Sequence, residues 1–392
     1  MKPVLGVSVY PDIETPEEIR EYLKKASSCG FTRVFSSMFT VEGTKEEVLS
    51  YFKALDDCAH EYGMAVSLDV NPQCFQLIGA SAEDISIFHE IGCDIIRMDM
   101  SFPPEKELLL LNNPYGIQIE FNASMKSPEE ALALCEAGVP AGRILYCHNF
   151  YPQRYTGFKW NKFLSVNAGL AKTGSRIGAF VSSHAPGTHG VWGAHHGLPT
   201  VERLRDLPID LQARIMLATG NVTDILIGNA FASEVEMRSL QKILEKKVMD
   251  EESVFAKMMR AMGVETDFNA IPQHQMKVIF DENATETERS VVLDFFPHAD
   301  VGDSSEWMWR SRGPRFIYRK KSIPARKYDP AYFEPGDVVM VNDNYKSYTG
   351  EVQIVRQRME NDGERNYIGR IAPGEEILLD LIRDGEAIVF TE

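Results

Sequence analysis

Three carboxylic acids, Asp69, Asp99 and Glu120, each lie at or near the end of a short run of β-branched and apolar residues. Successive side chains of a strand point to opposite faces. Ile-Ile-Arg-Met-Asp therefore puts Arg97 and Asp99 on one side, and Ile-Gln-Ile-Glu-Phe-Asn puts Gln118, Glu120 and Asn122 on one side. Acids presented from neighbouring strands into one cleft perturb each other, so that one keeps its proton while its partner stays ionised. Glycoside hydrolysis needs that division of labour: one proton donor and one nucleophile or base. Asp99 and Glu120 are the expected pair, with Asp69 in reserve. The competing reading is an Arg97–acid ion pair that only closes the fold.

The densest polar-aromatic stretch is Leu145–Phe158, which carries His148, Asn149, Tyr151, Arg154 and Tyr155. Aromatic planes beside amide and imidazole donors suit a pyranose, with its apolar faces and hydroxyl rim. His148, Asn149 and Tyr151, together with Asn71, Asn122 and His184, are expected to hold sugar hydroxyls and an acetamido group. The segment His184–Gly197 has four histidines and four glycines. Its spacing matches no metal motif, so it is read as a mobile lid, with His184 as its ligand contact and no metal or cofactor assigned. Candidate phosphate holders are Arg97 and Arg154 in the first part of the chain, and Arg310 and Arg312 in the later stretch Trp309–Arg315.

These residues need a scaffold that lines up strand ends. Eight strand-like runs are expected: Val4–Tyr10, Thr32–Ser36, Ala65–Val70, Ile95–Met100, Ile117–Asn122, Arg143–His148, Ile177–Ser182 and Asp224–Asn229. They alternate with helical segments. Thr15-Pro16-Glu17-Glu18 and Ser127-Pro128-Glu129-Glu130 read as helix starts, and Gly30, Gly63, Gly92 and Gly138 stand where helices should stop. Eight strand–helix units predict an α/β fold, a (β/α)8 TIM barrel whose catalytic groups sit at the C-terminal strand ends and following loops, among them Tyr10, Asp12, Ser36 and Ser37. A doubly wound sheet is the alternative, weakened by the absence of a GxGxxG fingerprint. The barrel is expected over residues 1–247, a helical linker over 248–271 and a small β-rich domain over 272–392. Strand-like runs in the latter are Gln275–Phe280, Ser290–Phe296, Arg315–Tyr318, Asp337–Val341, Glu351–Val355 and Glu376–Val389.

Bulk properties narrow the classes. The 392 residues carry a net charge of −16, which argues against nucleic-acid or membrane-surface partners. Six irregularly spaced cysteines read as reduced thiols. The N-terminus lacks a signal-peptide pattern, and a cytoplasmic location is expected.

The ordered set Val70-Asn-Pro72, Arg97-Met-Asp99, Ile119-Glu-Phe-Asn-Ala-Ser124, His148-Asn-Phe-Tyr-Pro152 with Tyr155-Thr-Gly157, Gly197-Leu-Pro-Thr-Val-Glu202 and Ile227-Gly-Asn229 resembles the bacterial 6-phospho-N-acetylmuramidase family. The histidine-rich stretch Thr188–His196 departs from that pattern. The resemblance implies a cyclophilin-like C-terminal domain. It also implies an exo-acting cytoplasmic hydrolase of cell-wall recycling that splits N-acetylmuramic acid 6-phosphate–N-acetylglucosamine into its two sugars. A homodimer is left open. Rival readings are a metal-dependent sugar-phosphate isomerase or aldolase using Asp69, Asp99, Glu120 and His148 or His184, and a non-catalytic phosphosugar-binding protein.

Overall fold

In a computed structural model, which describes residues 1–10, 13–38, 41–318 and 321–392, all eight expected runs become strands. Asp12 lies outside the described residues. The first unit, Met1–Leu244, runs in the order β1 (Val4–Ser8), α1 (Pro16–Ser28), β2 (Arg33–Ser37), α2 (Lys45–Glu61), β3 (Ala65–Val70), α3 (Pro72–Ile78), α4 (Ser86–Ile91), β4 (Ile95–Met98), α5 (Pro104–Leu111), β5 (Gln118–Asn122), α6 (Pro128–Glu136), β6 (Ile144–Cys147), α7 (Trp160–Leu170), β7 (Arg176–Val181), α8 (Ile209–Ala218), β8 (Asp224–Ile227) and α9 (Glu234–Lys242). The strands close in sequence order into a parallel barrel, β8 pairing with β1. Parallel strands buried on both faces read as nearly continuous apolar runs, which is why these were legible.

Local signals set the helix ends. Thr15 and Ser127 each accept a hydrogen bond from the backbone N–H of a glutamate three residues on, and each glutamate answers the cap's own N–H, so α1 and α6 both begin with a capping box. Helix α4 stops at Gly92, whose φ of 94° favours glycine. Beneath the loops of the C-terminal face, Phe35, Cys147, Phe180 and Leu226 of the barrel pack with Tyr10, Val191, Leu198 and Ala230. That apolar layer gives the loops above it a rigid floor.

Helix α2 buries an acid away from the C-terminal strand ends. Asp56 is wholly buried, neither carboxylate oxygen has a hydrogen-bond partner among the described residues, and burial pushes its pKa up to about 8, with Asp94 adding to the effect. The folded state thus prefers the neutral acid. Its contribution to stability is full below about pH 4 and is lost as pH rises through about 8. Asp56→Asn, which mimics the protonated form, is expected to raise the melting temperature more at pH 8 than at pH 5. Parallel melting curves across that range check it.

The second unit, Glu245–Glu392, starts with α10 (Val254–Ala261). The segment expected to be a linker contributes to this unit's own core: Met249, Phe255, Ala256 and Met259 pack with Phe295 and Phe296. Its strands are β9 (Gln273–Phe280), β10 (His298–Ala299), β11 (Met308–Ser311), β12 (Tyr332–Phe333), β13 (Asp337–Val341), β14 (Val352–Val355), β15 (Met359–Glu360), β16 (Arg365–Ile371) and β17 (Ala387–Thr391). They form a mixed seven-stranded sheet in the order β10-β17-β9-β16-β13-β14-β11, with β12 and β15 as a separate pair. Two expected strands are helices instead. Ser290–Phe296 falls largely in a helix, Glu286–Leu293, nucleated by a Thr285–Glu288 capping box, and Arg315–Tyr318 lies in the helix Gly313–Tyr318. Within Glu376–Val389, a short helix over Glu376–Leu379 precedes β17.

The six cysteines are unpaired. Among the described residues, no helix is long and apolar enough to cross a membrane.

Candidate active site

Parallel register brings the ends of β2, β3 and β4 level. Ser37 lies beside Asp69, and Asp69 beside Arg97. These three and Asp99 meet Asn149, Phe150 and Pro152 from the loop after β6, and Val191 and Trp192 from the loop after β7, around a cavity of about 190 Å³. Arg97 organises it from below. Its guanidinium is 2% exposed and bonds the Asp69 carboxylate through Nη1; the same nitrogen lies 3.5 Å from Asp99 Oδ1. Nη2 donates to Asn149 Oδ1 at 2.5 Å.

One guanidinium neutralises one carboxylate. A second carboxylate beside the same guanidinium disfavours ionisation of a buried acid. Asp69 is the buried one. Asp69, 4% exposed, is pushed up to about 7 by desolvation, against the pull of Arg97 and with the help of Asp99. The Asp99 side chain is 36% exposed and reaches the open side of the cavity. A protonated acid beside a more exposed carboxylate is the pairing that acid-assisted glycosidic cleavage uses.

Glu120 does not join them. It is wholly buried, and its Oε2 accepts a 2.6 Å bond from Arg33. Arg33 opens β2 and also faces Asp224, which opens β8 and binds Arg176 at 2.5 Å. Strand alternation correctly put Glu120 inside the barrel, but one turn of the pleat below Asn122 it faces the N-terminal end rather than the mouth. A buried ion pair thus engages Glu120 with Arg33, while the Arg97–acid ion pair weighed as the competing reading is present at Asp69 and Asp99.

Several residues expected to contact sugar hold other groups of the protein. His148 is wholly buried. Its Nε2 lies 2.8 Å from Asn167 Oδ1, an acceptor, so that nitrogen carries the proton; Nδ1, 3.1 Å from Ser124 Oγ, accepts from the hydroxyl. Burial holds the imidazole down at about 4, hence neutral at physiological pH. Ser124 in turn accepts from the Asn149 backbone N–H at 3.1 Å, so the chain ends on the residue that grips Arg97. Asn122 donates to Asp99 through both its carbonyl (3.2 Å) and its carboxylate (3.4 Å). Asn71 caps α3 by accepting from the Cys74 N–H. Tyr151 stacks on Phe158, their ring planes 18° apart.

A second cavity, about 310 Å³, opens on the same face between the loops after β6, β7 and β8, and holds Arg154 and His184. The Arg154 guanidinium is bonded to Asp206 at 2.8 and 2.7 Å. The loop expected to be a lid is tied down at His189, whose Nε2 lies 3.0 Å from Glu14 Oε1. Within it, Trp192 sits in the left-handed region at φ 56° with its side chain exposed at the acid cavity. Backbone strain in a non-glycine residue there costs on the order of 1–3 kcal/mol and marks functional sites. Trp192 was missed because a lone aromatic among glycines and histidines carries no periodic signal. Arg33 was missed because its apolar flanks, not its charge, define β2. In the second unit, Arg310 binds the buried Glu351 at 2.8 and 2.9 Å and Arg312 binds Asp303, so both guanidinium groups are taken up by acids of their own unit.

A (β/α)8 barrel whose mouth holds an arginine-bridged carboxylate pair under an exposed tryptophan has the make-up of a sugar-hydrolysing barrel enzyme. The family described as 6-phospho-N-acetylmuramidase, N-terminal, matches residues 5–242, and its counterpart, 6-phospho-N-acetylmuramidase, C-terminal, matches residues 274–391. The chain belongs to this glycosidase family. It is also similar to the crystal structure of an uncharacterized B. cereus protein, with 32% identity over the whole of both chains and a TM-score of 0.84. A conserved protein of unknown function from Enterococcus faecalis shares the fold at 21% identity, with a TM-score of 0.66 and 99% and 96% of the two chains covered. No curated protein matches the chain.

Proposed function

We propose that this chain hydrolyses the β-1,4 bond of N-acetylmuramic acid 6-phosphate–N-acetylglucosamine from the muramic end, without a metal, in cytoplasmic recycling of cell-wall sugars. The observation that carries the reading is the Asp69–Arg97–Asp99 arrangement at the barrel mouth. Asp69 delivers its proton to the glycosidic oxygen as the bond breaks. Asp99 either attacks the anomeric carbon or orients the substrate's own acetamido group to do so. Arg97 keeps both carboxyls in place. Asn149 and Trp192 offer a hydrogen-bonding amide and an apolar plane to the ring. The cyclophilin-like description of the second unit belongs to the same reading and rests on the family resemblance.

The nearest oxygens of Asp69 and Asp99 both contact Arg97 Nη1, so they are no more than about 6 Å apart. That spacing favours a retaining route, since inversion leaves room for a water between carboxyls about 6.5–9.5 Å apart. The first-formed muramic product is expected to be the β anomer, observed by proton NMR before mutarotation; an initial α signal refutes the retaining assignment.

The assay for the function as a whole uses EDTA-treated protein and the disaccharide with and without its 6-phosphate, following free N-acetylglucosamine. Release from the phosphorylated disaccharide alone is expected. No release, with activity on a sugar phosphate restored by a divalent ion, overturns the reading in favour of a metal-dependent isomerase or aldolase.

A further inference from the structure

We propose that the second cavity of the barrel face is the subsite for the phosphate of a sugar 6-phosphate, an inference that rests on the hydrolase reading above. Its walls include Arg154, Ser183, His184, His195, His196 and Asn229. Loops after the last strands of such barrels are a recurrent place for phosphate, but the case here is made by the side chains and their spacing.

The two cavities share two loops, those after β6 and β7. Pro152 and Trp192 line the acid cavity, while Arg154 and Ala194 line the second. Two residues of chain span at most about 7 Å. In this proposal a pyranose with its anomeric carbon at Asp69 and Asp99 directs its C6 substituent toward the second cavity. The acid cavity, at about 190 Å³, falls below the roughly 300–1,000 Å³ of typical small-molecule sites, and the second, at about 310 Å³, lies at the bottom of that range.

The chemistry of the lining selects an anion. Some of its polar groups are already engaged. The Ser183 hydroxyl donates to Glu236 at 2.7 Å, and Asn229 bonds the Ser183 backbone at 2.8 and 2.9 Å. The groups left to meet a ligand are three imidazoles and Arg154, with Asp206, which also lines the cavity, as the one acid among them. The His195 and His196 rings lie 4.4 Å apart, and neither imidazole makes a hydrogen bond to another described residue. His184 Nε2 lies 2.7 Å from the Arg205 carbonyl oxygen, to which it donates, so Nδ1 donates to an anion only when the ring is protonated. Arg154 completes four basic side chains at one site in a chain of net charge −16. Arg154 meanwhile holds Asp206 in the two-pronged geometry that a phosphate also adopts. Both partners are well exposed, at 40% and 68%, so the pair holds weakly and a dianion delivered with the sugar competes for the guanidinium. Arg97 offers no such opportunity, because its charge is committed to the two acids.

The test is calorimetric titration of the full chain with N-acetylmuramic acid 6-phosphate, N-acetylmuramic acid and inorganic phosphate. Wild type is compared with Arg154→Gln and with a His195→Ala/His196→Ala double variant, whose folding is checked by melting temperature. Wild type is expected to prefer the phosphorylated sugar at least 100-fold, with inorganic phosphate binding more weakly but at the same site. Each variant loses tenfold or more of that preference and keeps the weak affinity for the unphosphorylated sugar. Folded variants that keep the full preference overturn the subsite, as does a wild type with no preference. A wild type that binds through these residues yet cleaves no disaccharide overturns the hydrolase reading and leaves the subsite standing.

Discussion

Asp99→Asn and Asp69→Asn are each expected to lower kcat/KM on the phosphorylated disaccharide by about 10²–10⁴-fold, the usual effect of removing an acid, base or nucleophile in this chemistry. The two variants differ in what remains. Asp69 holds its proton up to about pH 7 because burial outweighs Arg97, so wild-type kcat/KM should fall as pH rises through that value. In Asp69→Asn the alkaline limb disappears along with most of the rate. In Asp99→Asn the limb survives but moves to lower pH, because the neighbouring charge that helps to raise Asp69 is gone. Both carboxylates bear on one guanidinium, so the double variant should be little worse than the poorer single. Full turnover in either folded single variant removes that residue from the mechanism.

His148 lies upstream of the same arrangement and acts on it indirectly. Neutral and enclosed, it passes the Asn167 constraint through Ser124 to Asn149. Nothing in the run Tyr-Cys-His-Asn reveals whether the imidazole faces a ligand or the space behind the barrel wall, because a strand end can turn either way once pairing stops. The sequence carried the barrel because eight buried parallel strands impose apolar runs and because proline, acid and glycine mark the helix ends. It carried the acids for the same reason: alternation fixes which side chains enter the barrel. It did not carry depth. Asp69, Arg97 and Glu120 are register neighbours, yet Arg97 reaches upward to Asp69 and Glu120 downward to Arg33, and that choice depends on a guanidinium three strands away. In the second unit the same kind of ambiguity exchanged strand for helix over Ser290–Phe296, where a short apolar run fits either state and the Thr285–Glu288 box decided.

The depth of Glu120 has a measurable consequence. Glu120→Gln leaves the Arg33 guanidinium, 3% exposed, without its 2.6 Å partner. Breaking a buried pair from one side typically costs about 3–5 kcal/mol, because the remaining charge stays desolvated. Asp224 offsets part of that loss: it lies 3.4 Å from Arg33, but Arg176 already holds it at 2.5 Å. The lower half of the range is therefore expected, a fall in melting temperature of roughly 6–16 °C for a unit of this size. Replacing Arg33 and Glu120 together by methionine removes the desolvated charge as well as its partner and should recover much of the loss. The kinetics separate stability from chemistry. At a temperature where Glu120→Gln is fully folded, kcat on the phosphorylated disaccharide should stay within a few-fold of wild type, against the orders of magnitude expected at Asp69 and Asp99. A Glu120→Gln protein that melts like wild type but has lost its turnover reverses the assignment. It would mean that the barrel opens far enough during the reaction for the deepest of the three acids to reach the sugar.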